Sequence, residues 1–215
     1  MTSLNRFSAT VAAALCAALS MTAGLALAAD TTVSADQILN ALKPKPLTRG
    51  LSMAPAPQAD ASVQAREVNF IASVRNRKTR SLSLAEREQI AEIASTKPKI
   101  DLEIQFDYNS ANISKTSLTA VQELGKALSN PSLKGSTFVV AGHTDAIGSE
   151  PYNLDLSERR ADTIKHYLVE KYGLAGSDLV TVGYGKTKLK DTSNPTAPIN
   201  RRVQVVNMDS KTASQ

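Results

Sequence analysis

Cysteine and tryptophan are almost missing from this sequence. Its 215 residues contain one cysteine, Cys16, no tryptophan, two histidines and only nine tyrosines and phenylalanines. A single thiol supports no disulfide framework and no thiolate metal site. If Cys16 is removed with a leader segment, the remaining chain also lacks a cysteine nucleophile. So few large aromatics supply material for one modest core, not two. Charge of one sign is also in mild deficit: 20 Asp and Glu stand against 25 Lys and Arg, a formal net charge of +5. That excess suits an anionic surface, but it bears on association and solubility and not on fold.

The only long apolar run lies at the start. Arg6 is followed by an uncharged stretch from Val11 to Leu27, then Ala26-Leu27-Ala28 and the polar Asp30-Thr31-Thr32. This order predicts a secretory signal over residues 1–28, cleaved after Ala28. An uncleaved single anchor is the competing reading, because the run is slightly short of the roughly 20 residues a spanning helix needs. Leu15 before Cys16 stands where a lipoprotein signal has a small residue, so lipid attachment is not expected. Residues 29–66 are poor in large apolar side chains and interrupted by Pro44, Pro46, Pro55 and Pro57. They read as a low-complexity tether with one short helix near Asp36 to Leu42.

Residues 67–97 read as a short strand and helix. Val68, Phe70 and Ala72 alternate as a strand would, and Ser83 with Glu86 forms a capping box for a helix to Ala94. Between them lies the basic cluster Arg75, Arg77, Lys78 and Arg80. No aromatic residues interleave with it, so it reads as a solvated loop and not as a nucleic-acid site.

From residue 98 to 209, strand and helix patterns alternate. Ile100, Leu102, Ile104 and Phe106 alternate with polar residues, and a helix opens at Ser114 with Leu118, Val121, Leu124 and Leu128 at helical spacing. Thr137 to Ala141 is a short apolar central strand. A long helix runs from about Pro151 to Tyr172, stopped by Gly173. Leu179 to Val182 and Val203 to Val206 complete the strands. The pattern predicts an α/β (α+β) sandwich, a mixed four-strand sheet with two main helices packed on it, and a disordered tail at 210–215.

One residue breaks the pattern of the long helix. At about 100° per residue, Leu156, Ala161, Ile164, Tyr167 and Leu168 share one side, and Glu158, Asp162, Lys165 and His166 the other. Arg160 falls on the apolar side, with Ser157 and Asn153 one and two turns before it. A guanidinium turned inward needs a partner, since an uncompensated buried charge costs several kcal/mol. The loop Gly142-His143-Thr144-Asp145-Ala146-Ile147-Gly148 leaves the central strand just before this helix, and Asp145 is its only carboxylate. Asp145 and Arg160 are therefore expected to meet at one end of the sheet, either as an ordinary ion pair or as a ligand site.

Five blocks carry a family resemblance: Phe106-Asp107-Tyr108-Asn109-Ser110-Ala111-Asn112-Ile113, Gly142-His143-Thr144-Asp145 with Gly148, Tyr152-Asn153 with Leu156-Ser157-Glu158-Arg159-Arg160-Ala161, Gly183-Tyr184-Gly185-Lys186, and Asn200-Arg201-Arg202-Val203. In this order the chain resembles the OmpA C-terminal domain family, a peptidoglycan-binding module. The resemblance implies non-covalent binding of the meso-diaminopimelate stem peptide, gripped by Asp145 and Arg160. It also implies secondary contacts from Asn109, Thr144, Asn153 and one of Arg201 and Arg202. Strand alternation puts Arg201 on the face of Val203 and Val205, and Arg202 on the other. The implied location is the periplasm, with or without attachment to the outer membrane, and the N-terminal segment is left for a protein partner of the envelope.

Other readings fare less well. No cofactor or metal is expected, and His143 beside Asp145 has no nucleophile motif or second metal ligand with it. Gly183-Tyr184-Gly185-Lys186-Thr187 looks like a phosphate loop, but Val180 stands where its first glycine belongs. An enzyme is not expected. The remaining alternatives are an envelope docking protein that does not bind the wall, and a stator-like protein keeping its N-terminal anchor.

Overall fold

Six consecutive buried residues, Phe138–His143, form the strand around which the structure is organised. A computed structural model describes residues 33–44, 61–75, 77, 81–106 and 110–209. Within these, the strands are β1 (Lys99–Leu102), β2 (Phe138–His143), β3 (Leu179–Gly185) and β4 (Val203–Asn207). Their order is β1-β4-β2-β3, so β2 and β4 are central. β2 pairs in parallel with β3, and β4 is antiparallel to both β1 and β2. Parallel pairing of β2 with β3 requires a crossover. That crossover is the long helix introduced next.

The helices are α1 (Ala35–Leu42), α2 (Ala61–Val74), α3 (Leu84–Ser95), α4 (Leu118–Leu128) and α5 (Glu150–Tyr172). Strand alternation splits the core in two. Phe138, Val140, Val203 and Val205 face α1, α4 and α5. Val139, Ala141, Val180, Val182 and Val206 face the opposite way, where α2 and α3 supply Ile71, Val74, Ile90 and Ile93. The mixed four-strand sheet is as expected, but it carries helices on both faces.

Two expectations from the N-terminal third are corrected. The short helix expected near Asp36 to Leu42 is present at residues 35–42, but it belongs to the core and not to a tether. Ile38 and Leu42 are fully buried, the Leu42 carbonyl accepts from Asn207 Nδ2 at 2.9 Å, and the Ala35 amide donates to Glu123 at 2.8 Å. A capping box between Ser34 and Gln37 starts this short amphipathic helix, and the prolines that suggested a tether fall beyond its end. The supposed strand Val68, Phe70, Ala72 lies within α2. Ile71 and Val74 face the sheet three residues apart while Val68 is 61% exposed, which is helical and not alternating spacing. The signal, residues 1–28, tether residues 29–32 and 45–60 and the tail 210–215 lie outside the described residues, while residues 61–66 of the expected tether belong to α2.

The remaining elements follow the sequence closely. The Ser83–Glu86 capping box is present at the start of α3. Ser114 opens a single 3₁₀ turn before α4, which begins at Leu118. Gly173 ends α5 in the left-handed conformation, φ 64°. α5 lies directly on the C-terminal halves of β2 and β3 because Gly142 and Gly183 have no side chains. A Cβ on Gly142 would run into the Ser157 carbonyl, and one on Gly183 into Glu158 and Ser157. This close approach brings the first half of α5 against the loop that leaves β2.

Candidate ligand-binding site

The loop after β2 is held from three sides. The Thr144 amide donates to Gly185 O at 2.9 Å, the Ala146 amide to Pro195 O at 3.0 Å, and Asn153 Nδ2 of α5 to Ile147 O at 2.8 Å. Within the loop, the Thr144 hydroxyl donates to Asp145 O at 3.0 Å. Thr144 and Asn153 are both buried. Their described polar contacts fix the shape of the loop around Asp145.

Asp145 is 8% exposed and its two oxygens have different partners. Oδ1 accepts from the Ile147 amide at 3.1 Å, closing a turn of the loop on itself. Oδ2 accepts from Arg201 Nη1 at 2.7 Å. Arg201 follows the short 3₁₀ turn Pro198–Asn200 just before β4, and its side chain remains 46% exposed.

Arg160 does not form the expected direct ion pair with Asp145. Its Nε donates to Ser110 O at 3.2 Å, and its guanidinium lies over the Phe106 ring, 4.8 Å from the centroid. Aromatic faces attract guanidinium groups, so the ring and the carbonyl orient it without neutralising it. Burial lowers the Arg160 pKa, Tyr152 and Asp145 raise it, and Arg201 and Arg159 lower it again. Asp145 and Arg201 therefore both lie within electrostatic reach of Arg160. The pairing differs from the sequence-based expectation because Arg201, reaching over from β4, is the nearer partner of the carboxylate. Asn109, the other expected contact near Ser110, lies outside the described residues.

Arg202 lies on the far side. It is buried, with Nε 3.4 Å from Asp101 Oδ1 and Nη2 3.3 Å from Lys188 O. Strand parity separates it from Arg201, as the alternation implied, and takes it away from Asp145. His143 is on that same opposite face, its ring 5.3 Å from Tyr184. Its Nδ1 lies 3.1 Å from the Lys188 carbonyl, which can only accept, so Nδ1 carries the proton. Burial lowers the His143 pKa to about 3, with a further push from Arg202. A neutral imidazole turned away from Asp145 makes no acid/base pair with it.

Two structural residues near the site have no signal in a single-sequence pattern. Asn200 is fully buried and pins residues 190–195: its Oδ1 accepts from the amides of Lys190 and Asp191 at 2.8 and 2.9 Å, and its Nδ2 donates to Asn194 and Pro195 carbonyls at 3.1 Å. Glu158, expected on the wet side of α5, is 4% exposed and pairs with Arg87 of α3 at 2.5 Å. Arg87 also donates to Leu82 O and Gly183 O at the edge strand. The wet-side assignment assumed one packing partner for α5, whereas α3 reaches its flank past Gly183. The basic cluster is likewise less solvated than expected, with Arg75 paired to Asp178 and Arg77 to Glu86. Lys78 and Arg80 lie outside the described residues.

Residues 105–202, which contain every element of this site, match the model of the OmpA family, and the chain carries an OmpA family domain there. The chain is 34% identical over 109 residues to outer membrane porin F of Pseudomonas aeruginosa, covering 49% of this chain and 30% of that protein. It is 35% identical over 96 residues to outer membrane protein A of Klebsiella pneumoniae, covering 45% and 28%. It thus spans less than a third of the length of these relatives. Among solved structures it is similar to the peptidoglycan-associated lipoprotein from Burkholderia pseudomallei, at 23% identity and a TM-score of 0.40, over 53% of this chain and 92% of that one.

Proposed function

We propose that this protein binds peptidoglycan non-covalently, and that Asp145, Arg160 and Arg201 receive the free end of a meso-diaminopimelate stem peptide. The observation that carries the reading is a buried carboxylate, Asp145, paired to Arg201 and within electrostatic reach of a second guanidinium, Arg160, which Phe106 and Ser110 orient. The free end of diaminopimelate carries an ammonium and a carboxylate on one carbon. It needs an anion and a forked cation side by side, and arginine matches a carboxylate bidentately. Thr144 and Asn153 support this site through the loop, and Asn109 is proposed as a further contact. The OmpA family domain and the envelope proteins it resembles favour a binding role over catalysis.

The same reading places the protein in the periplasm, exported by a signal over residues 1–28, where wall binding contributes to envelope integrity. A partner protein at the outer membrane or in the periplasm would engage through the N-terminal segment. The test is competition. Full-length mature protein is pelleted with purified diaminopimelate-type sacculi in the presence of free meso-diaminopimelate or of a lysine-type stem peptide. Release by the first and not by the second is expected. Pelleting indifferent to both would remove the stem peptide as the ligand.

A further inference from the structure

A cavity of about 340 Å³ lies on the face of the sheet away from Asp145, between α3, β4 and the loop after β3. That volume falls within the roughly 300–1,000 Å³ of small-ligand sites. Ala94, Val139 and Ala141 give it a buried apolar wall, and the exposed Ser95, Thr187 and Thr192 stand at its mouth. His143 and Arg202 line it as well, only 4% and 7% exposed. Both converge on one carbonyl: His143 Nδ1 lies 3.1 Å from Lys188 O, and Arg202 Nη2 lies 3.3 Å from the same atom. These bonds leave His143 Nε2, a bare acceptor, and Arg202 Nη1, a donor, buried without a hydrogen-bond partner among the described residues. Each carries a desolvation cost that a matching partner removes.

The two orphaned atoms define what fits. An anion would meet the Nε2 lone pair and Asp101, whose Oδ1 is 3.4 Å from Arg202 Nε, and a cation would meet Arg202 itself. A neutral group with an N–H and a C=O side by side satisfies both atoms, and a secondary amide is such a group. We propose that this cavity is a second ligand site and takes the N-acetyl group of an amino sugar. The amide N–H donates to His143 Nε2, the carbonyl accepts from Arg202 Nη1, and the methyl group packs on Ala94, Val139 and Ala141. The sugar ring stays at the mouth. There the Ser95 and Thr187 hydroxyls donate to Glu92 O and Tyr184 O, which leaves their lone pairs for the sugar hydroxyls. The choice of an amino sugar among amides rests on the wall-binding reading, because the glycan strands of the wall are built from N-acetylated sugars. The cavity adds to that reading a contact with the glycan, made by residues that the stem-peptide site does not use.

The test is a nuclear magnetic resonance titration of the full mature chain with N-acetylglucosamine, with glucose, which lacks the amide, and with meso-diaminopimelate. N-acetylglucosamine is expected to shift the amide signals of Ala94, Val139 and Ala141 and the ring Nε2 signal of His143. Glucose at the same concentration is expected to leave them in place, and meso-diaminopimelate to shift residues 144–148 instead. Arg202→Met is expected to weaken the response to N-acetylglucosamine by about tenfold, the size of one hydrogen bond to a charged group. The contrast between the two sugars is read on wild type, so it holds whether or not that variant folds. Equal shifts with glucose, or none with N-acetylglucosamine, overturn the cavity as an N-acetyl site and leave the stem-peptide reading to its own shifts. An absence of shifts at residues 144–148 with meso-diaminopimelate, beside an intact sugar response, overturns the stem-peptide reading and supports the cavity.

Discussion

At the residue scale, His143 gives a stability signature that can be measured. Its folded pKa lies near 3, below the ordinary 6.5. Between these values the unfolded chain holds a proton that the folded protein does not, so stability falls as pH drops through that window. One proton corresponds to a slope of at most about 1.4 kcal/mol per pH unit. Urea denaturation from pH 7 to pH 4 is expected to show a shallower slope in His143→Asn than in wild type, and equal slopes would place the loss elsewhere. Residue-level legibility was uneven. Arg160 stood out because one charge interrupted an apolar stripe, and the parity of Arg201 and Arg202 was readable from β4 alone. The partner of Asp145 was not, because a residue more than fifty positions away supplies it through the packing of β4 beside β2.

At the element scale, α1 was legible as a short helix near Asp36 to Leu42, but its place in the core was not. Eight residues give two turns, too few for a convincing stripe, and the prolines downstream dominate the composition. Its tertiary contacts decide its fate. Leu42→Ala, removing a fully buried side chain, is expected to cost about 2–5 kcal/mol in chemical denaturation. A change below 0.5 kcal/mol, the range of an exposed site, would return α1 to the tether. The α3 cap was legible because Ser83 and Glu86 lie three residues apart. Hydrogen bonds from Arg77 and from Ser83 lower the Glu86 pKa to about 2. A depressed carboxylate contributes stability above its unfolded pKa and loses it as pH falls through the folded one. The contribution of the Glu86 cap is thus expected to persist at pH 5 and to disappear toward pH 2, which comparison of wild type with Glu86→Ala across that range would reveal. A difference that vanishes already at pH 5 would argue against the bond to Arg77.

At the scale of the whole molecule, the family domain and the folded unit are not the same length. Residues 105–202 match the family, but α1 completes one face of the sheet, and α2 and α3 cover much of the other. Glu158 of α5 is paired to Arg87 of α3, only two residues from Arg160. A fragment beginning at residue 98 leaves Val139, Val180 and Val206 without Ile71, Ile90 and Ile93, and a carboxylate without its partner. It is expected to melt well below the full mature chain in a thermal scan, and equal midpoints would make the N-terminal helices dispensable. The fold class was legible over residues 98–209, where strand and helix periods alternate cleanly, and less so before it, where packing overrides local pattern.

The central claim is that Asp145 and Arg160 hold the protein to the wall, and co-sedimentation with purified sacculi tests it most directly. Losing one partner of a desolvated charge contact costs about 2–5 kcal/mol, so Asp145→Ala and Arg160→Ala are each expected to reduce affinity by tens to thousands of fold. Lys171→Ala, at the exposed far end of α5, is expected to leave pelleting unchanged. Wild-type pelleting in both Asp145→Ala and Arg160→Ala would contradict the account.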